Sequence, residues 1–113
     1  MKVHTKLGNG FRESVYQRCL EIELTKAGLR FFREVEMPIS YDREKVGKRR
    51  ADFLVEEKIV VELKAVISLD NDHLNQALNY LEASNLETGL LINFGARSLQ
   101  FKRLFNKKFK TPR

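Results

Sequence analysis

Apolar and polar positions follow two different periods along this chain, and the switches between them outline the elements. From Phe11 to Ala27, Phe11, Val15, Cys19 and Ile22 recur at helical spacing, and Leu20, Leu24 and Ala27 widen the stripe. That spacing predicts an amphipathic helix over 11–27, closed by Gly28. Glu13, Tyr16 and Gln17 share a second face of it. Phe31–Ile39 alternates loosely and reads as a strand with Pro38 near its end, and Ser40–Lys48 reads as a polar, basic turn. Two more strands follow, Arg50–Val55 and Ile59–Ala65, joined by a tight turn at Glu56-Glu57-Lys58. Asp70 is a candidate N-cap for a second helix reaching about Ala83, with Leu74, Ala77, Leu78 and Leu81 as its buried stripe. His73, Gln76 and Tyr80 lie on a different face of that helix. Gly89–Phe94 is a near-continuous apolar run, hence a buried strand, and the intervening helix makes it parallel to a neighbour. Gly95 turns the chain, and Ser98–Phe105 alternates as a last, more exposed strand. The segment Met1–Gly10 is a polar loop or the end of a preceding helix. The order αβββαββ predicts an α/β fold, a mixed sheet flanked by helices.

Charge adds a partner class to this picture. The net charge is +6 over 113 residues, a length that fits one domain spanning 1–113. Residues 97–113 hold seven basic residues (Arg97, Lys102, Arg103, Lys107, Lys108, Lys110, Arg113) and no acidic one, which leaves 14 basic against 15 acidic over 1–96. The excess therefore sits in a C-terminal basic tail from about 106 and the strand before it. A smaller cluster lies at Arg43, Lys45, Lys48, Arg49 and Arg50. Such a distribution suits a polyanion, nucleic acid being the usual one, and equally a solvated tail that keeps the chain soluble. No apolar run reaches membrane-spanning length and no signal-peptide pattern opens the chain, so no membrane partner is expected. Cys19 has no second cysteine to pair with, so it reads as a small core residue, and the usage fits a cytoplasmic location. No zinc-ligand spacing, phosphate-cradling glycine loop or nucleophilic triad is present.

The chemistry is concentrated in the middle of the chain. Ile59–Ala65 (Ile-Val-Val-Glu-Leu-Lys-Ala) has the β-branched character of a central strand, yet it contains Glu62 and Lys64. Two residues apart on a strand, they point to the same face about 7 Å from one another. Asp52, on the neighbouring strand, is also flanked by apolar residues. Charges in the middle of a small sheet are costly unless they pair or bind something. One reading is a structural Glu62–Lys64 ion pair or a wet strand face. The other is a site for a hard cation, with Asp52, Glu62 and the main-chain carbonyl of Leu63 as ligands and Lys64 beside the group under attack.

Several blocks then carry a family resemblance. Gly10-Phe11-Arg12-Glu13-Ser14-Val15-Tyr16 resembles the Gly-x-x-Glu-x-x-Tyr signature of the small bacterial and archaeal GxxExxY proteins, and Leu7-Gly8-Asn9-Gly10 resembles the Leu-Gly-Pro-Gly before it. Arg50-Ala51-Asp52, Val61-Glu62-Leu63-Lys64-Ala65, Gln76-Ala77-Leu78-Asn79-Tyr80-Leu81 and Gly89-Leu90-Leu91-Ile92-Asn93-Phe94-Gly95 match that family in order. It is grouped with the PD-(D/E)XK nucleases, which implies a restriction-endonuclease-like αβββαβ core. Members generally carry a further helical turn before Val3-His4, and this chain starts there, which predicts weaker packing and an altered site edge.

The resemblance implies a metal-dependent nuclease with Asp52, Glu62, Lys64, Glu13, Gln76 and Tyr80 as catalytic residues. Asp52, Glu62, Leu63 and Glu13 would hold Mg²⁺ or Mn²⁺, and Gln76 and Tyr80 would position the phosphate or brace the acids. Arg49, Arg50, Lys102, Arg103, Lys107 and Lys108 would track a nucleic-acid backbone, DNA before RNA, with Tyr16 and Tyr41 as candidate base-stacking residues. A lone domain of this size covers little duplex, which is compatible with a homodimer. The alternatives are a catalytically inactive nucleic-acid-binding or protein-interaction module on the same fold, and a scaffold whose charged strands only bridge each other.

Overall fold

The computed structural model describes Val3 and residues 8–110. Helix α1 (Glu13–Lys26) precedes a long hairpin, β1 (Phe31–Tyr41) and β2 (Glu44–Val55), and then β3 (Ile59–Lys64). Helix α2 (Asn71–Ala83), β4 (Thr88–Asn93) and β5 (Gln100–Phe105) complete the order. The sheet runs β1-β2-β3-β4-β5. Only the β3–β4 pair, the one bridged by a helix, is parallel, and the other three are antiparallel. This is the mixed α/β sheet flanked by helices that the pattern predicts, consistent with a restriction-endonuclease-like core.

Alternation along β3 divides the interior into two layers. Val61 and Leu63 face α1, in a cluster with Tyr16, Leu20, Phe53, Ile92 and Phe94. Val60 faces α2, with Leu81, Met37 and Ala51. The strand is apolar on both sides because helices cover both, and each buried Val or Leu side chain contributes roughly 1.5–3 kcal/mol. Among the described residues, no helix is long and apolar enough to cross a membrane.

Helix α1 buries part of its expected stripe, with Leu20 in the core and Cys19 and Leu24 packed against it, but it is rotated toward its second face. Phe11 and Ile22 are about half exposed, whereas Tyr16 is fully buried and Gln17 nearly so. The Tyr16 ring stacks on Phe94, with centroids 4.5 Å apart, and its hydroxyl donates to the Gly8 carbonyl and accepts from the Phe11 N–H. Those two bonds satisfy the polar end, so the largest ring on the helix can enter the core. Tyr16 is therefore not available to stack on a base. Gln17 accepts from Arg33 on β1 and is structural as well.

The expected turn at Ser40–Lys48 is also corrected. Both strands continue through it, and the reversal takes only Asp42 and Arg43, at φ 49° and 67°. Two successive left-handed residues match the twist of a tight hairpin. The charged residues around them lie on an exposed two-stranded ribbon, where polarity marks solvent on both faces rather than a loop. The turn at Glu56-Glu57-Lys58 forms as expected, with Glu56 and Glu57 left-handed.

Helix α2 starts as its sequence predicts. The Asp70 carboxylate accepts from the His73 N–H, and the His73 ring accepts from the Asp70 N–H, closing a capping box. Ala77 and Leu81 are buried beneath it, with Leu74 and Leu78 partly so. The connection into α2 is fixed at its start by the buried Asn93, whose side-chain oxygen accepts from the Val66 and Gly95 N–H groups. A Cβ at Gly95 would lie 2.4 Å from the Val66 backbone, so only glycine lets these two loops cross. At the other end, residues 106–110 of the expected tail dock on the exit of α2. Asn106 donates to the Leu86 carbonyl, and Asn85 and Lys110 exchange two bonds. The expectations for Met1–Leu7 and for the last three residues lie outside the described residues, except that Val3 is buried in the α1-side cluster.

Phe94→Ala should destabilise the fold by about 3–5 kcal/mol and Tyr16→Phe by about 1 kcal/mol, measured by urea denaturation.

Candidate active site

The pairing of β2 with β3 stops at Phe53↔Val61. Beyond that point the strands are no longer paired, and the Asp52 carboxylate takes the place of a backbone partner. Its Oδ2 accepts from the Leu63 N–H at 2.7 Å. The N–H and C=O of one strand residue point to the same side. The Leu63 carbonyl therefore faces the same opening. Glu62 and Lys64 follow Val60 on the α2 side of β3, so their side chains rise from the floor of this opening.

The opening widens into a cleft of about 400 Å³ between the sheet and α2. Its wall contains Asp52, Glu62, Leu63 and Lys64 from the sheet, Glu13 from the first turn of α1, and His73, Gln76, Ala77 and Tyr80 from α2. Every residue expected to be catalytic or metal-ligating thus lines one cleft, although they come from four elements. Three faces meet there because Glu13 sits at the end of α1 beside the sheet, while Gln76 and Tyr80, one turn apart, look down from α2.

Glu62 does not pair with Lys64. It forms an ion pair with Arg49 of β2, and the Arg49 side chain is only 7% exposed and that of Glu62 18%. The Arg49 guanidinium also lies over the Tyr80 ring, 4.4 Å from its centre. The Tyr80 hydroxyl in turn accepts from Gln76 at 3.3 Å. Gln76, Tyr80, Arg49 and Glu62 therefore form a continuous brace from α2 to β3. Arg49 belongs inside the cleft rather than on the surface with Arg50. Its neighbours Lys48 and Arg50 are exposed at the cleft's edge.

The other expected cations separate by face. The row Glu62↔Leu91↔Lys102 runs across β3, β4 and β5, which puts Lys102 on the cleft side about 10 Å from Glu62. Arg103 is on the opposite face. Lys107 is exposed, and Lys108 reaches Glu82. Tyr41 is 70% exposed near the ribbon tip, outside the cleft.

Burial dominates the electrostatics of the site. It raises the pKa of Asp52 above its ordinary value, against the Leu63 N–H and the cations Lys64 and Arg49, while Glu34 adds to the rise. Glu13 is raised too, by burial first, with Lys64 opposing and Asp52 reinforcing. Burial likewise lowers Arg49, against Tyr80 and Asp52. The sequence offered no signal for Glu34. It sits at φ 54° within β1, where the register passes from Arg33↔Phe53 to Val35↔Ala51 and so skips the position opposite Asp52. A left-handed glutamate inside a strand is a strained arrangement.

The donors suit a hard divalent ion. Such an ion takes one or two carboxylates, a carbonyl and several waters, which Asp52, Glu62 and the Leu63 carbonyl match. Among the described residues no three His, Cys, Asp or Glu side chains cluster as a ready-made centre, so the fit is to a largely hydrated ion and not to a closed cage.

A raised carboxylate pKa has a signed consequence for stability. The folded chain holds the Asp52 and Glu13 protons more tightly than the unfolded chain, so their contribution is complete below the unfolded pKa. It is lost as pH rises through the folded one. In EDTA, Asp52→Asn should therefore have the higher Tm at neutral pH. Its advantage should shrink as pH falls toward the ordinary carboxylate range, as followed by thermal denaturation across that range.

Comparison with known proteins agrees with this geometry. No curated protein matches the chain. The solved structure of SSO0001 superposes with a TM-score of 0.64 at 24% identity, over 83% of this chain and 50% of that one. This chain thus spans half the length of that relative, and the likeness is one of fold. The family model for the PD-(D/E)XK nuclease superfamily matches residues 1–104, which takes in α1, α2 and β1 to β5 apart from the last residue of β5. The chain belongs to the PD-(D/E)XK nuclease superfamily.

Proposed function

We propose that the protein is a metal-dependent nuclease of the GxxExxY type that hydrolyses phosphodiester bonds, with DNA as the preferred substrate. The observation that carries this reading is the convergence of Asp52, Glu62, Lys64, Glu13, Gln76 and Tyr80 on one cleft beside the outward Leu63 carbonyl. Asp52, Glu62 and that carbonyl would hold Mg²⁺ or Mn²⁺, with Glu13 reaching the same ion through water. When bound, the ion supplies Lewis-acid polarisation of the phosphate and a lowered pKa for water.

The chain's own groups do the rest. Leu63 N–H fixes the direction of the Asp52 carboxylate. Lys64 has no ion-pair partner within 4 Å among the described residues, so its ammonium is free to orient the attacking water or to meet charge developing on the phosphate. The brace from Gln76 through Tyr80 and Arg49 holds Glu62 in place. Lys102, on the cleft side, and Arg50, at the cleft's edge, would take the flanking phosphates, with Arg103, Lys107 and Lys108 extending the basic surface. Contacts of this kind position a backbone without reading sequence.

One observation favours the second reading, a binding module without catalysis. Arg49 already neutralises Glu62, as an internal cation would in a site that no longer takes a metal. Cleavage separates the two readings. Labelled linear, nicked and branched DNA, and RNA, incubated with Mn²⁺ or Mg²⁺, should be cut by the wild type. Lys64→Ala and Asp52→Ala should each lose roughly a hundredfold or more in rate, a loss typical for a group that stabilises transition-state charge. Binding without cleavage, weakening steeply with salt, would support the module instead.

A further inference from the structure

Arg49 is poorly satisfied where it sits. Its side chain is nine-tenths buried, and its Nε–H has no hydrogen-bond partner among the described residues. Nη2 is the nitrogen that meets Glu62, and Nε takes no part in that contact. The Tyr80 ring holds the guanidinium plane by its face and offers Nε no acceptor. Buried donors left unmade are uncommon, and a guanidinium that leaves one open beside a cleft is short of an acceptor. Arg49 also sits on β2 beyond the last β2–β3 pair, where that strand is no longer paired to β3.

A divalent ion on Glu62 and a guanidinium on the same carboxylate repel each other at this range. A divalent ion bound by Asp52 and Glu62 would meet the guanidinium directly, and the doubly charged ion would win the carboxylate. The stack on Tyr80 does not depend on Glu62. A displaced Arg49 would therefore stay in the cleft, with Nε and Nη2 both open to an acceptor. A phosphate oxygen beside the ion is an acceptor of the right charge and geometry.

We propose that Arg49 is an exchangeable counter-ion: it neutralises Glu62 in the metal-free protein, yields that carboxylate to a divalent ion, and then binds the substrate phosphate. This rests on the metal-site reading above, and it predicts effects of opposite sign from one substitution. In the full chain, Arg49→Ala should bind Mn²⁺ roughly tenfold more tightly by calorimetry, in line with the coupling of close charge pairs. The same variant should bind a single-stranded oligonucleotide severalfold more weakly in Ca²⁺, used as a non-catalytic ion, with little change in EDTA. Wild type that binds Mn²⁺ no more weakly than Arg49→Ala would overturn the proposal and leave the metal site standing. Absence of Mn²⁺ binding by both proteins would overturn the metal site and the proposal together. If Arg49→Ala does not fold, the wild type still decides. Its Arg49 Nε–H resonance should shift on titration with Mg²⁺, and a resonance unmoved while Mg²⁺ saturates the protein would overturn the proposal.

Discussion

The structure depends on a single interruption of backbone pairing. If β2 and β3 stayed paired past Phe53↔Val61, the Leu63 N–H and carbonyl would be spent on the ladder and Asp52 would have nowhere to point. Because the strands part there, the Asp52 carboxylate replaces the missing partner, and a carboxylate and a carbonyl come to face one opening. The opening is kept from collapsing by what surrounds it. β3 is locked on its other side by six parallel pairs to β4, from Ile59↔Thr88 to Lys64↔Asn93. Asn93 and Gly95 then steer the chain away from the sheet and into α2, which forms the roof.

Charge in the cleft is balanced in a way that joins fold to function. Glu62 would be costly alone at its depth, and it is neutralised by Arg49 and not by Lys64. That leaves Lys64 without an ion pair among the described residues, near Asp52 and Glu13, whose pKa values it lowers. The Lys64 ammonium, the Asp52 carboxylate anchored on the Leu63 N–H and the Glu62–Arg49 pair thus stand together in one cleft. A Glu62–Lys64 pair, one of the two readings of this strand, is not formed, because Arg49 takes the Glu62 carboxylate.

Much of this was legible in the sequence, for physical reasons. Asp52, Glu62 and Lys64 stood out because charge is expensive within apolar strands, and Asp70 announced α2 because an N-cap is a local interaction. What stayed hidden depends on distant partners. Tyr16 looks like a polar-face residue until the Gly8 carbonyl and Phe94 supply its hydroxyl and its ring. Arg49 and Arg50 are adjacent and chemically alike, yet one is buried over Tyr80 while the other is exposed. Strand alternation would have separated them had β2 been carried back to Glu44. The ribbon around Asp42 resembled a loop because a strand exposed on both faces loses its alternation. Glu34 gave no signal, since its left-handed backbone follows from the register of β1 on β2.

The cation site proposed at Asp52, Glu62 and the Leu63 carbonyl is tested most directly by anomalous diffraction from crystals grown with Mn²⁺. An anomalous peak is expected between the two carboxylates, within coordination distance of the Leu63 oxygen, with the Arg49 guanidinium no longer on Glu62. Mn²⁺ bound only elsewhere, with Arg49 still on Glu62, would contradict it.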